Sequence, residues 1–409
     1  MLGFLRAGLF YARSPQRAVD ALKRHYYTET QSQHSKPDSL LPADPGRPRR
    51  DLIHIAAFTA GNAGDHILPV ALRDLFDNVG GRTRWTLRHA HPVFDAAAVA
   101  QANETRGIVI GGGGLFLRDT NPNPNSGWQW NCPLNQLRDL EVPLVIFAVG
   151  YNRFRGQPDF EPIFREHLAA VAERSVYLGL RNHGSIEAIR RYLPEALRTK
   201  VRFQPCMTTV LGCLYPFLQA RPNPGRKPVV VLNAAFDRAA LRFGRRESAI
   251  LTEIARAMAE LGQATDIHLA IHVEDDAHIM PFLRSEGVEF NKIDLRRSTP
   301  KGIAEYYASV DLVLGMRGHA QMIPFGCGTP LLSLISHDKL RWFLDDIQRP
   351  EWGIEVHDPD LRGTILSKAR DLINRSEAVR ADISQLRENL WRLSRKNVED
   401  ALQVIDALR

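Results

Sequence analysis

Apolar residues occur in short runs bounded by glycine, proline or polar clusters, and between the runs they recur every three to four positions. A run of four to eight apolar residues reads as a strand buried on both faces, and the longer periodic stretches read as amphipathic helices. Leu52–Phe58 is the first strand, followed by a helix over Ala63–Phe76. Gly107–Ile110, Val142–Val149 and Val176–Leu180 are the next strands. Breakers then accumulate at Tyr215-Pro216 and from Arg221 to Pro228, the strongest candidate boundary in the chain. Beyond it the rhythm restarts with a strand over Val229–Leu232, a helix over Arg245–Leu261, and strands at Ile267–His272 and Asp311–Leu314; Leu331–Leu334 closes the series. From about Asp360 to Leu408 the pattern is helical and polar, with periodic Leu, Ile and Val.

Alternating strands and helices imply parallel sheets covered on both faces. The expected fold is α/β, with two Rossmann-like domains, a central cleft and a helical C-terminal tail. The expected divisions are 1–50 as an N-terminal extension, 51–215 and 228–358 as the two domains, and 359–409 as the tail. At 409 residues the chain exceeds what one core usually holds, which agrees with that division.

Composition narrows the rest. Apolar residues at 44% and charged residues at 24% suit a water-exposed globular protein. A net charge of +7 suits an acidic small substrate, an anionic membrane or nucleic acid, and does not choose among them. The arginines are dispersed and form no nucleic-acid recognition motif, so no nucleic-acid partner is expected. Residues 1–50 carry nine Lys or Arg against four Asp or Glu, so this partly disordered segment could rest on a membrane surface. No run of 18 apolar residues exists, and the short N-terminal apolar stretch is interrupted by Arg6, so neither a membrane span nor a secretory signal is expected. Cys132, Cys206, Cys213 and Cys327 show no C-x-x-C spacing, which argues for reduced thiols in a cytoplasmic protein and against a zinc site.

In open α/β sheets ligands bind beyond the carboxyl ends of the strands, so the loops there hold the candidate chemistry. Thr59 to His66 contains Asn62, Gly64 and Asp65 and opens a helix, whose first N–H groups suit an anion. Asp65 reads either as the helix cap or as a ligand-facing carboxylate. Gly111–Gly114 reads as a turn that brings backbone close to an anion or to a neighbouring loop. Asn121–Trp128 reads as a mobile surface loop, with Trp128 and Trp130 either packed or stacked on a sugar. Arg181 ends a strand, facing a ligand or a surface carboxylate. The sharpest loop runs from Gly315 to Met322. There Arg317 offers a planar fork for carboxylate or phosphate, and His319 can exchange a proton near neutral pH. Gln321 follows in the same segment, and Lys339 adds a cation after the next strand.

In order, Gly61 to Asp65, the glycines at 111–114, Arg181 with Ser185, Arg317-x-His319-Ala320, Gly328-Thr329-Pro330 and Lys339 resemble the polysaccharide pyruvyl transferase family. The resemblance covers about residues 52–345. It departs at Gly318, usually a larger residue, at His66, where an acidic residue is common, and at Gln204 to Met207, which replaces an Asp-Pro segment. It implies two Rossmann-like halves in the GT-B arrangement, phosphoenolpyruvate as donor, and a sugar acceptor in a polysaccharide or lipid-linked precursor. No metal or organic cofactor is expected. The implied catalytic set is His319 as acid, Arg317 as clamp and Asp65 as base. The implied substrate-binding set is Asn62, Gly64, Gly112, Gly113, Arg181, Gln321 and Lys339. A GT-B glycosyltransferase using a nucleotide sugar, or a non-catalytic glycan-binding relative, fits the same pattern.

Overall fold

The computed structural model describes residues 39–42, 44, 46–218 and 225–408. The membrane-surface expectation for residues 1–50 therefore falls almost entirely outside the described residues.

Two six-stranded parallel sheets form the molecule. The first holds β1 (Arg50–Ala56), β2 (Thr83–His89), β3 (Gly107–Phe116), β4 (Leu144–Tyr151), β5 (Ser175–Leu180) and β6 (Val201–Phe203), in the order β2-β1-β3-β4-β5-β6. The second holds β7 (Val229–Asn233), β8 (Asp266–Ile271), β9 (Asn291–Asp294), β10 (Leu312–Gly315), β11 (Leu331–Ile335) and β12 (Gly353–Glu355), in the order β12-β11-β10-β7-β8-β9. Both are Rossmann-like. The helices that matter here are α1 (Ala63–Gly80), α2 (Ala239–Phe243), α3 (Glu247–Gly262), α4 (His319–Cys327), α5 (Asp338–Asp346), α6 (Leu361–Asn374) and α7 (Ser376–Ala407).

Strand order reverses between β1 and β3 in one sheet and between β7 and β10 in the other. Such switch points open a crevice at the carboxyl ends of the strands, where the two flanking connections diverge. The loops after β1, β3, β7 and β10 all line one cavity of about 310 Å³ between the sheets.

Burial explains the strands. From Leu52 to Ala56 every side chain is buried, as it must be when helices cover both faces of a sheet. His54 sits in this run, its Nε2 2.7 Å from the Gly111 carbonyl, and burial lowers its pKa to about 3. One apolar cluster runs from Leu52, Leu72 and Phe76 through Met207 and Leu211 to Val231 and Leu314, so the two sheets share a continuous core. A second cluster, around Ile110, Trp128 and Phe164, fills the other face of the first sheet.

The tail expected after 359 is α6 and α7, and α7 returns to the first sheet. Asp406 accepts from Arg50 Nε at 2.8 Å, and Asn397 Nδ2 donates to Gln204 Oε1 at 2.9 Å. Leu402 packs over Gly80, leaving no room there for a side chain.

Three sequence expectations are corrected. β11 does not close the second sheet, because β12 lies beyond it. Gly111–Gly114 is not a turn: the four glycines lie inside β3, where the pairing with β4 shifts register. Gly113 takes φ +90°, a left-handed conformation open to glycine at little cost. The Asn121–Trp128 segment is not a mobile surface loop. Asn123 Nδ2 donates to the Trp128 carbonyl at 2.7 Å, and Trp128 donates to His167 at 2.9 Å. Trp128 and Trp130 are buried in the core and unavailable to a sugar.

Candidate active site

Each strand end delivers one part of the cleft. After β1, Asn62 is the cap of α1: its side chain accepts from the Gly64 N–H at 3.0 Å and donates to Asp65 at 2.9 Å. Asp65 is therefore not the cap. The Ala63 N–H donates to the His272 carbonyl at 3.0 Å. With the N–H groups of both Ala63 and Gly64 engaged, the α1 terminus is less open to an anion than its sequence implies. Gly64 is not among the cavity-lining residues; it makes room for His319. A Cβ there would stand 2.2 Å from His319 Nδ1.

The β3 glycines 112, 113 and 114 line the cavity with backbone. After β4 and β5 come Asn152 and Arg181. Arg181 is almost fully buried, and its Nε and one Nη carry no hydrogen bond. It crosses Gly150 so closely that a Cβ there would lie 2.0 Å from its Nε.

The second sheet supplies charge. Asp237, Arg238 and Arg242 follow β7, Arg317 and His319 follow β10, and Lys339 lies in the first turn of α5. Arg317 does not present a free fork. Its Nε donates to Asp276 at 2.7 Å and one Nη to Asp237 at 2.9 Å. Asp276 is completely buried and also accepts from the His272 N–H and from Asn233 Nδ2, both at 2.9 Å. One Nη of Arg242 donates to both Asp237 carboxylate oxygens, at 2.9 and 3.0 Å, and Arg238 pairs with Asp119 across the cleft. These cations hold the Asp237 carboxyl down at about 2 despite its burial. Arg181 and Lys339 are thus the lining cations without an ion pair among the described residues. Lys339 Nζ instead donates to the neutral Asn152 Oδ1 at 2.8 Å.

Two groups that can exchange protons meet this charge. Burial, helped by Arg181, His272 and Lys339, lowers the His319 pKa to about 3, so its imidazole is neutral near pH 7. Burial raises Asp65 to about 7, although Thr59, Arg317, Asn62 and Arg181 all favour its ionised form. A carboxyl poised there exchanges protons at neutral pH.

The sign of the Asp65 effect can be measured. Unfolded, the group titrates near 3.8; folded, it keeps its proton up to about 7. Folding is therefore favoured most below the unfolded value, and this contribution is lost as pH rises to 7. Asp65→Asn should stabilise the protein by about 2 kcal/mol at pH 8, a figure discounted for partial exposure, and by almost nothing at pH 4. Denaturant melts at the two pH values check this; equal shifts at both would contradict it.

The structure thus brings together Asn62, Asp65, Gly112, Gly113, Arg181, Arg317, His319 and Lys339 around one cavity. It does not bring Gln321, which is buried beneath α5 with its Nε2 3.5 Å from the Leu340 carbonyl. Sequence reading missed Asp237, Arg238, Arg242, Asn152 and His272. An acid and two arginines just after the β7 run were a usable signal. Nothing local marks Asn152 or His272. A separate depression of about 370 Å³ near α6 is lined by charges that pair with one another, such as Arg349 with Asp382 and Arg375 with Asp371.

Solved structures share the architecture. A Listeria monocytogenes protein assigned as a UDP-N-acetylglucosamine 2-epimerase aligns at 11% identity and TM-score 0.51, covering 82% of this chain and 91% of its own. The Neisseria meningitidis UDP-GlcNAc 2-epimerase bound to UDP-GlcNAc aligns at 12% identity and TM-score 0.49, covering 86% and 99%. Anabaena Alr3699/HepE in complex with UDP and glucose aligns at 12% and 0.49, covering 88% and 99%. At 11% identity and TM-score 0.51 the likeness to the Listeria protein is one of fold, the GT-B arrangement of two Rossmann-like halves. No curated protein matches the sequence. The model of one family, polysaccharide pyruvyl transferase, matches residues 62–338, starting at the Asn62 cap and ending at the first turn of α5. Because that span takes in most of the chain, the protein belongs to the polysaccharide pyruvyl transferase family.

Proposed function

We propose that the protein transfers the pyruvyl group of phosphoenolpyruvate to two hydroxyls of a sugar in a polysaccharide or lipid-linked precursor, forming a ketal and releasing phosphate. Family membership supports pyruvyl transfer to a glycan. The observation that carries the donor is the pair of cations without carboxylate partners, Arg181 and Lys339, in a cavity otherwise lined by neutralised charge. Phosphoenolpyruvate carries a carboxylate and a phosphate on one small frame, and each needs a cation. A cavity of about 310 Å³ suits a donor of that size with one edge of a sugar.

The chemistry balances without a further reactant. A proton adds to the methylene carbon, one sugar hydroxyl attacks the adjacent carbon, phosphate leaves, and the second hydroxyl closes the ketal. His319 is neutral among its neighbouring cations, and an arriving anion offsets them and raises its proton affinity. Proton donation by His319 is thereby tied to donor binding. Asp65, titrating at about 7, takes the hydroxyl proton. Arg181 and Lys339 stabilise charge as it moves onto the departing phosphate.

Phosphate release from phosphoenolpyruvate, measured with a panel of glycans and lipid-linked sugars, tests the reading. Release that depends on acceptor is expected; turnover of a nucleotide sugar instead would replace it with glycosyl transfer. Gly64→Ala probes the positioning of His319. The added methyl displaces the ring, and a fall in kcat of about 100-fold is expected, with thermal midpoint little changed. Steady-state rates with a melting curve check both halves.

A further inference from the structure

We infer that Lys339 is a carbonyl-reactive amine, and that small anionic α-keto acids condense with it in the cleft to form an imine. The amine lines the cavity and is only half-buried, so a ligand can reach it. Gly318, with 4.0 Å from a would-be Cβ to Lys339 Cε, leaves the space beside the side chain open.

Until an anion offsets the neighbouring cations and restores its charge, its surroundings disfavour an ammonium. The hydrogen-bond acceptor of Nζ is the neutral Asn152 Oδ1. Asp237, the carboxylate that faces it, is already bound by Arg242, Arg317 and Arg238. Arg181 faces it from the end of β5, Arg242 from α2, Arg317 from the end of β10, His319 from α4, and His337 lies beside it at the start of α5. Burial among like charges pushes the amine well below the ordinary lysine range. A desolvated lysine next to other cations is the form that attacks carbonyls.

The same surroundings choose the ligand. Cations on several sides select an anionic carbonyl compound, and Arg181, with two nitrogens unpartnered, can hold its carboxylate. The nitrogen lone pair attacks the keto carbon. Both amine hydrogens leave with the carbonyl oxygen as water, and C=N replaces C=O with no change of oxidation state. Choosing a keto acid rests on the pyruvyl reading above; the reactivity of the amine does not.

The test treats the full chain with pyruvate and cyanoborohydride, then maps modified peptides. One reduced adduct at Lys339 is expected, lost in Lys339→Met and suppressed at least about tenfold by phosphoenolpyruvate. The exposed Lys227, Lys292, Lys301 and Lys396 serve as internal controls. A second arm uses pyridoxal 5′-phosphate and borohydride, an anionic aldehyde that probes the amine alone. Labelling by the aldehyde but not by pyruvate would overturn the keto-acid assignment and keep the reactive amine. Labelling of Lys339 no faster than that of the surface lysines in either arm would overturn the whole inference. Pyruvate labelling of Lys339 that phosphoenolpyruvate leaves untouched supports the amine and counts against the donor reading.

Discussion

Arg317→Ala is expected to cost about 3–5 kcal/mol of folding stability, more than it costs in donor binding. The guanidinium sits between Asp237 and Asp276, and Asp276 has no exposed surface. Removing the cation leaves a buried carboxylate held only by neutral donors, Asn233 and the N–H groups of His272 and Val273. An uncompensated buried charge is among the largest single-residue penalties known in folded proteins. The double variant Arg317→Ala, Asp276→Asn should recover part of the loss, because it removes the orphaned charge. Chemical denaturation of the two variants decides the matter. A single variant as stable as the parent, with a raised requirement for phosphoenolpyruvate, would instead make Arg317 a direct clamp.

His319→Ala should behave in the opposite way, with transfer reduced by about 10³-fold and the fold retained. Among the described residues no carboxylate bonds to this ring; a polar neighbour is the Cys206 Sγ, 3.9 Å from Nε2. Its ring fills the space that a side chain at position 64 would need, so truncation opens space beside the cavity. Single-turnover pyruvyl transfer alongside a denaturant melt separates the two effects. Near-parental transfer would remove His319 from the proton path. The contrast between two residues only two positions apart is the informative part: loss of the first is expected to show as lost stability, loss of the second as lost transfer.

The sequence pattern reveals some of this and hides the rest for physical reasons. The interior strands β1, β3, β4, β5, β7, β8, β10 and β11 appear as apolar runs because helices bury both their faces. The four strands it does not show are β2, β6, β9 and β12, and these are the four sheet edges. Edge strands such as Thr83–His89 and Asn291–Asp294 carry charged residues that discourage pairing with other chains, so no apolar run marks them. Within the cleft, Arg317, His319 and Lys339 stand out because basic groups just beyond strand ends are a recognisable anion-binding pattern. Their partners do not: Asp276 comes from the end of β8 and Asn152 from the end of β4, and only the sheet order brings them beside the arginine and the lysine. The opposite assignment of free and paired cations, Arg181 against Arg317, depends wholly on those partners.

The return of α7 to the first sheet has a consequence for biosynthesis. Arg50, on β1, waits for Asp406, 356 positions later, before its ion pair can form. Closing so long a loop is slow, and the apolar surface that Leu402 and Ile405 eventually cover stays bare until then. A nascent chain stalled before Ser376 would therefore expose that surface to chaperones or to aggregation, so synthesis of α7 is a condition for a fully folded first lobe as much as for the second.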